Sequence, residues 1–194
     1  MAAFVLGNGV SRRHIEVDTL LKLGTVYGCN ALYRTHTPHV LVATDQPIST
    51  QIQESGYSAK NKFYTRRPIN GLGAHRVPQS YFGFSSGPIA TGIAAGDGHM
   101  TIYMLGFDMG PAANGLFNNV YADTEFYKHA LAKPTFTGNW VRQLTSVTKD
   151  FPNQQFVRVC GDTTAVIPEL QALANIKSMT IADFVGLLNN PRLL

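Results

Sequence analysis

The stretch AAFVLGNGVSRRH, residues 2–14, decides the fold class. Its apolar run, Ala2–Leu6, is short and unalternating, which is typical of a strand buried on both faces of a parallel sheet. Gly7-Asn8-Gly9 ends the run, and Ser11 predicts the start of a helix that extends to Leu23. Thr25–Cys29 then has the composition of a second strand. A strand-helix-strand unit of this kind predicts parallel pairing through a right-handed crossover.

The rest of the chain repeats this alternation of short apolar runs and helical segments. Further strands are predicted at His39–Thr44, Lys62–Thr65, Met100–Phe107 and Gln155–Cys160. Further helices are predicted at Ile48–Ser55, Ser86–Ala95, Gly138–Asp150 and Ile181–Leu188. This pattern favours a single α/β domain over residues 1–194, with a doubly wound, mostly parallel sheet and helices on both faces.

Composition excludes several classes of protein. Hydrophobic residues make up 44% of the 194 residues, which argues against disorder. The net charge of +4 comes from scattered basic residues, which suits a small anionic ligand and not a nucleic acid. No apolar run is long enough for a membrane span. Cys29 and Cys160 lie far apart, so we expect free thiols and a cytoplasmic location, with a disulfide as the alternative.

Polar residues follow several of the predicted strands. In an open parallel sheet, ligands bind beyond the carboxyl ends of the strands, so these residues are expected to converge on a nucleotide phosphate. The predicted ligand-binding residues are Asn8, Gly9, Ser11, Arg12, Asn30, Asp45, Ser86, Gly87 and Asp108. Free N–H groups at two helix N-termini, near Ser11 and Ser86, would bind the anion. The alternative for the first of them is a tight turn with an N-cap serine.

Asp45 has two interpretations. A carboxylate at this strand end could bind Mg²⁺ or a ribose hydroxyl. It could instead cap the helix that Pro47 begins.

The stretch 108–134 is predicted to be a lid over the ligand. It contains many glycine, proline and asparagine residues, yet it carries too many apolar side chains for a solvated loop. These side chains would rest on the cavity mouth or on a neighbouring subunit of a homo-oligomer. In the lid, Tyr121 and His129 would face the ligand as catalytic residues. The alternative is an ordinary packed helix around Thr124–Leu131.

Four motifs, FVLGNGVS, YGCNALY, SSGPIATGIAAG and IYMLGFD, resemble in this order those of the bacterial sialyltransferases of the glycosyltransferase-42 type. The stretch PHVLVATD is similar to the 6-hydroxymethylpterin diphosphokinase-like family, which places an aspartate at this strand end. These resemblances imply a Rossmann-like fold. They also imply nucleotide contacts from Asn8, Gly9, Ser11, Asn30, Ser86 and Gly87.

The chain departs from the sialyltransferase pattern at three places. Val10 replaces the proline of the glycine-rich turn, and no tyrosine follows the strand ending at Asp108 until Tyr121. Thr137 or Asn139 stands where that family has its catalytic histidine, so His129 would have to substitute.

Two classes of function follow. The first is a nucleotide-dependent transferase that moves a glycosyl or diphosphoryl group from a small-molecule nucleotide or nucleotide sugar, with Mg²⁺ as an expected cofactor on Asp45. The second is a binding or structural protein that keeps the fold without the chemistry.

Overall fold

Eight short strands form one sheet in which every neighbouring pair is parallel. The computed structural model describes residues 2–194. The strands are β1 (Ala3–Leu6), β2 (Thr25–Cys29), β3 (Val40–Val42), β4 (Phe63–Thr65), β5 (His75–Arg76), β6 (Thr101–Leu105), β7 (Gln155–Cys160) and β8 (Ile176–Thr180). They are ordered β5-β4-β3-β2-β1-β6-β7-β8 across the sheet.

Helices pack on both faces of this sheet. They are α1 (Val17–Leu23), α2 (Gln46–Glu54), α3 (Tyr57–Lys60), α4 (Ser86–Gly96), α5 (Gly138–Asp150), α6 (Pro168–Gln171) and α7 (Ile181–Asn189). Short 3-10 helices occur at Val10–Arg12, Asn30–Arg34, Gln79–Tyr81 and Pro191–Leu193. The expected α/β class, with a parallel sheet and helices on both faces, is confirmed.

Strand β1 shows how the sequence builds two cores. Alternate side chains of a strand point to opposite faces, and here both faces are apolar. Ala3 and Val5 pack with Ile89 of α4, while Phe4 and Leu6 pack in a separate cluster that includes α1, α2 and α7. A continuous apolar run is therefore what this central position requires.

The strand order reverses between β1 and β6. Successive strands extend outward from β1 on one side and from β6 on the other. The loops that follow these two strands are joined by backbone hydrogen bonds, from Gly7 N–H to Leu105 O and from Gly9 N–H to Gly106 O, both 2.8 Å. Such a switch point leaves a crevice at the carboxyl ends of the strands.

Three sequence-based element assignments are wrong. The expected helix from Ser11 to Leu23 is interrupted: a 3-10 turn ends at Arg12, and α1 begins only at Val17. The packed helix considered around Thr124–Leu131 is a series of turns. The strand predicted to be the last, β7, is followed by a further strand, β8. This strand was missed because most of its residues are exposed and its sequence carries little apolar signal.

Within residues 2–194, no helix is both long and apolar enough to cross a membrane.

Candidate functional site

A cavity of about 360 Å³ lies at the carboxyl ends of β1, β2, β3 and β6. It is the crevice that the switch point predicts. Most of the residues expected to contact the ligand line it: Asn8, Gly9, Asn30, Asp45, Ser86, Gly87 and Asp108. Ser11 and Arg12 do not line it, because both are used to hold the surrounding loops together.

Asp108 has a structural role at the cavity floor. It is 3% exposed, and both carboxylate oxygens accept hydrogen bonds from the protein. The donors include the Ser11 N–H at 3.1 Å, Asn118 Nδ2 at 3.0 Å and the Thr163 hydroxyl at 2.7 Å. The Ser11 hydroxyl is a further donor. With both oxygens accepting hydrogen bonds from the protein, this carboxylate holds the surrounding loops together.

Arg12 and Arg158 are buried cations that hold backbone carbonyl groups. Arg12 donates from Nε to Gly7 O and from Nη2 to the hydroxyl of Tyr121. Arg158 donates to the carbonyl oxygens of Phe107 and Asp108, at 2.8–3.0 Å. Burial lowers the pKa of Arg158. The expected role of Arg12 beside a phosphate is therefore replaced by a role in shaping the loop.

Asn30 and Ser86 connect two strand ends to α4. The Ser86 hydroxyl donates to Asn30 Oδ1 at 3.1 Å and accepts the Thr44 N–H at 3.2 Å. Asn30 has a positive φ of 53°, which turns the chain sharply after β2. In the described chain, the Asn30 amide nitrogen has no hydrogen-bond partner, so it can donate to a ligand.

Asn8 offers an acceptor to the cavity. Its backbone oxygen accepts the N–H of Val120 at 2.8 Å, which fixes the loop. Its side-chain Oδ1 is buried and has no hydrogen-bond partner among residues 2–194. Buried polar atoms without a protein partner are uncommon and indicate where a ligand group would bind.

The N-terminus of α4 opens into the cavity without a side-chain cap. The Ser85 N–H donates to Gln143 Oε1 at 2.8 Å, and Pro88 has no N–H. The N–H groups of Ser86 and Gly87 have no acceptor in the described part of the chain. Two free donors at the positive end of an 11-residue helix favour an anion.

Two cations of the lining were not identified from the sequence. Arg66 is held by the carbonyl oxygens of Phe82 at 2.7 Å and Phe84 at 2.6 Å, and Lys128 lies 5.8 Å from the ring of Phe117. Neither cation has a carboxylate partner among residues 2–194. Lys128 lies in an irregular segment, where no periodicity or strand end indicates a site, whereas Arg66 directly follows β4 and its strand-end position was overlooked.

Asp45 is exposed and occupies the N-cap position of α2, as the capping interpretation expects, but its side chain makes no capping hydrogen bond. Its carboxylate makes no hydrogen bond or ion pair within residues 2–194 and is available to a ligand or a metal ion. The described residues contain no group of three His, Cys, Asp or Glu side chains that could hold a metal ion. A metal ion at Asp45 would therefore need further ligands from a bound molecule or water.

Residues 109–134, named here the cover segment, form one wall of the cavity. The segment contributes Phe117, Asn118, Asn119, Phe126, Tyr127 and Lys128 to the lining. Asn118 Oδ1 accepts the Val10 N–H at 2.8 Å, which joins the segment to the loop after β1. The location expected of the lid is thus found, while its mobility stays a prediction.

Neither expected catalytic residue lines the cavity. Tyr121 belongs to the cover segment, and its ring lies 5.3 Å from the ring of Tyr127 and 5.7 Å from the guanidinium of Arg12. His129 pairs with Asp123 at 2.7 Å, and its side chain is 86% exposed. The cavity thus brings together seven of the nine predicted binding residues and leaves Ser11, Arg12 and the predicted catalytic pair outside.

Comparisons of the chain with models of protein families, with curated proteins and with solved structures give no match.

Proposed function

We propose that the cavity binds the phosphate groups of a nucleotide or nucleotide sugar, and that the protein is a transferase of the glycosyl or diphosphoryl group. One observation carries this proposal: the free N–H groups of Ser86 and Gly87 face the same cavity as Arg66 and Lys128, two cations without carboxylate partners.

These groups match what a phosphate requires. Backbone N–H groups at a helix N-terminus bind phosphate oxygens, and a guanidinium can donate to two of them. Arg66 is oriented by two backbone carbonyl groups, which leaves its charge uncompensated. An anionic ligand would supply that compensation in the cavity.

Transfer from such a ligand needs positioning and neutralisation of charge on the leaving phosphate. Arg66, Lys128 and the α4 N-terminus supply the neutralisation. Asp45 is the free carboxylate of the lining and can accept a hydrogen bond from a hydroxyl group of the ligand. Mg²⁺, if used, would be held by Asp45 together with ligand phosphates, which is a common arrangement for this ion.

A second candidate is a protein that binds the nucleotide without chemistry. The positions of His129 and Tyr121 outside the cavity favour it. For either candidate, the free thiols of Cys29 and Cys160 support a reducing compartment such as the cytoplasm.

Calorimetric titration of the protein with CMP and with ATP, each with and without Mg²⁺, tests the proposal. Binding of either nucleotide supports it, and metal-dependent binding of ATP favours diphosphoryl transfer. Binding of neither nucleotide overturns it. ³¹P NMR of the nucleotide with candidate acceptors then separates a transferase from a binding protein, because only a transferase replaces the signals of the nucleotide with those of its products.

A further inference from the structure

A second cavity, of about 320 Å³, adjoins the first. It is lined by Asp45, Gln46, Pro47, Ile48, Phe126 and Tyr127. Three of these residues, Asp45, Phe126 and Tyr127, also line the first cavity. One ligand can therefore extend from the first cavity into the second.

The two cavities differ in charge. Asp45 lines both cavities, and the buried Asp108 also lines the first. Among the described residues, only the first cavity has cations in its lining, Arg66 and Lys128, together with the positive end of α4. A phosphate would be repelled from the second cavity and attracted to the first. The second cavity therefore suits the uncharged part of a ligand whose anionic part occupies the first.

Phe126 lies where the cavities meet. Its φ is 70°, a left-handed conformation that is unfavourable for a residue other than glycine. The surrounding turn is held by a hydrogen bond from the Asp123 N–H to Lys128 O, at 3.0 Å, and by Arg34, which donates to Glu125 O at 3.1 Å. Despite this, the Phe126 residue remains 46% exposed.

An exposed aromatic ring on a strained, well-held turn is poorly explained by packing of the core. Strained backbone is concentrated at ligand-binding sites, and exposed aromatic rings stack on planar heteroaromatic rings. The free carboxylate of Asp45 is beside it, and paired hydroxyl groups of a ribose are suitable donors to such a carboxylate.

We propose that the second cavity binds the nucleoside half of the ligand, with its base stacked on Phe126 and its ribose hydroxyl groups donating to Asp45. This inference rests on the proposed function and specifies the ligand as a ribonucleoside phosphate.

The test compares ligands that fill one or both cavities. Affinities for inorganic pyrophosphate, CDP, ADP and 2′,3′-dideoxy-CDP are measured by calorimetry on the full chain. The wild-type protein should bind at least one of the two ribonucleoside diphosphates at least tenfold more tightly than pyrophosphate. Phe126→Ala should remove most of this difference and leave pyrophosphate within about twofold of the wild-type affinity.

Two further variants make the comparison specific. Phe136→Ala is the matched control, because Phe136 is 77% exposed and lies outside both cavities. It should leave all affinities unchanged. Asp45→Ala should weaken the binding of CDP without weakening the binding of 2′,3′-dideoxy-CDP, because the dideoxy analogue has no ribose hydroxyl groups that could donate to Asp45. Thermal unfolding shows that each variant is folded.

Each outcome decides the matter. If CDP or ADP binds more tightly than pyrophosphate and Phe126→Ala does not change this difference in affinity, the proposed stacking of the base on Phe126 is wrong. If pyrophosphate binds as tightly as both nucleotides, the second cavity is not a nucleoside site, although the phosphate site stands. If neither pyrophosphate nor any nucleotide binds, the proposed function itself fails.

Discussion

The carboxylate of Asp108 accepts both the backbone N–H and the hydroxyl of Ser11. This pair joins the loop after β6 to the loop after β1, the two strands between which the sheet order reverses. The same carboxylate accepts hydrogen bonds from Asn118 of the cover segment and from Thr163 of the loop after β7. One buried side chain therefore determines the relative positions of four segments around the cavity.

Asp108→Asn is expected to lower the free energy of unfolding by about 2–4 kcal/mol, because an amide group would face several donors that now share a charged acceptor. Urea unfolding measures this change. Asp162→Asn is the control, since Asp162 is exposed nearby and should change the free energy by less than about 0.5 kcal/mol. Equal stability of the two variants would contradict the role given to Asp108.

Gly9 must be glycine for reasons of space. A Cβ atom there would lie 2.4 Å from Cγ of Asp108, whereas a Cβ at Gly83 would have no neighbour within 4 Å. Gly9→Ala is expected to lower the midpoint of urea unfolding by an amount that corresponds to about 1–3 kcal/mol. Gly83→Ala should leave the midpoint nearly unchanged. A harmless Gly9→Ala would mean that the Asp108 side chain has room to move.

The sequence predicts the centre of the fold better than its edges. Strands β1, β2 and β6 are buried on both faces, so their apolar runs are unambiguous. Strand β5 has two exposed residues, and β8 carries Lys177 and Ser178, so neither has an apolar run to recognise. Edge strands depend on their neighbours for stability, and local sequence does not record those neighbours.

A similar limit applies to the site. Residues directly after strands, such as Asn8 and Asp45, follow from the rule that ligands bind at strand ends. Arg66 follows β4 directly, so the same rule could have identified it. The position of Lys128 depends on a long irregular segment and could not be inferred. Ser11 and Asp108 hydrogen-bond to each other, and Arg12 hydrogen-bonds to Gly7 O and Tyr121. Only three-dimensional contacts reveal that the protein itself uses these groups.

Arg66→Ala is expected to weaken the binding of CMP or ATP by about tenfold to a hundredfold, the usual contribution of a charged hydrogen-bond donor. Arg67→Ala serves as the control, because Arg67 is exposed and its Nη1 donates to Gln46 Oε1 instead of lining the cavity. Calorimetry at two salt concentrations measures both variants. The wild-type affinity should fall more with added salt than that of Arg66→Ala. Equal losses in the two variants would contradict a specific role for Arg66.

Stability at alkaline pH should depend on Cys29. Burial raises the pKa of this thiol to about 12, whereas a thiol in an unfolded chain titrates near pH 8.5. The folded state holds the proton more tightly, so the stabilisation is complete below about pH 8.5 and is lost as pH rises toward 12.

The corresponding measurement is urea unfolding of the wild-type protein and Cys29→Ala at pH 8, 9, 10 and 11. The wild-type free energy of unfolding should fall more steeply, by up to about 1.4 kcal/mol per pH unit from this group alone. Buried tyrosines with raised pKa, such as Tyr27, add a decline of the same sign to both proteins. Parallel pH profiles would show that Cys29 does not contribute.

The hydrogen bonds of Asp108 also bear on how the protein is made. The loop that contains Ser11 is synthesised almost 100 residues before its anchor, Asp108, and Thr163 follows still later. A nascent chain on the ribosome can form β1 long before this cavity floor can close. Ligand binding during translation should therefore begin only after Thr163 has left the exit tunnel, and a nucleotide would stabilise the growing chain only from that point.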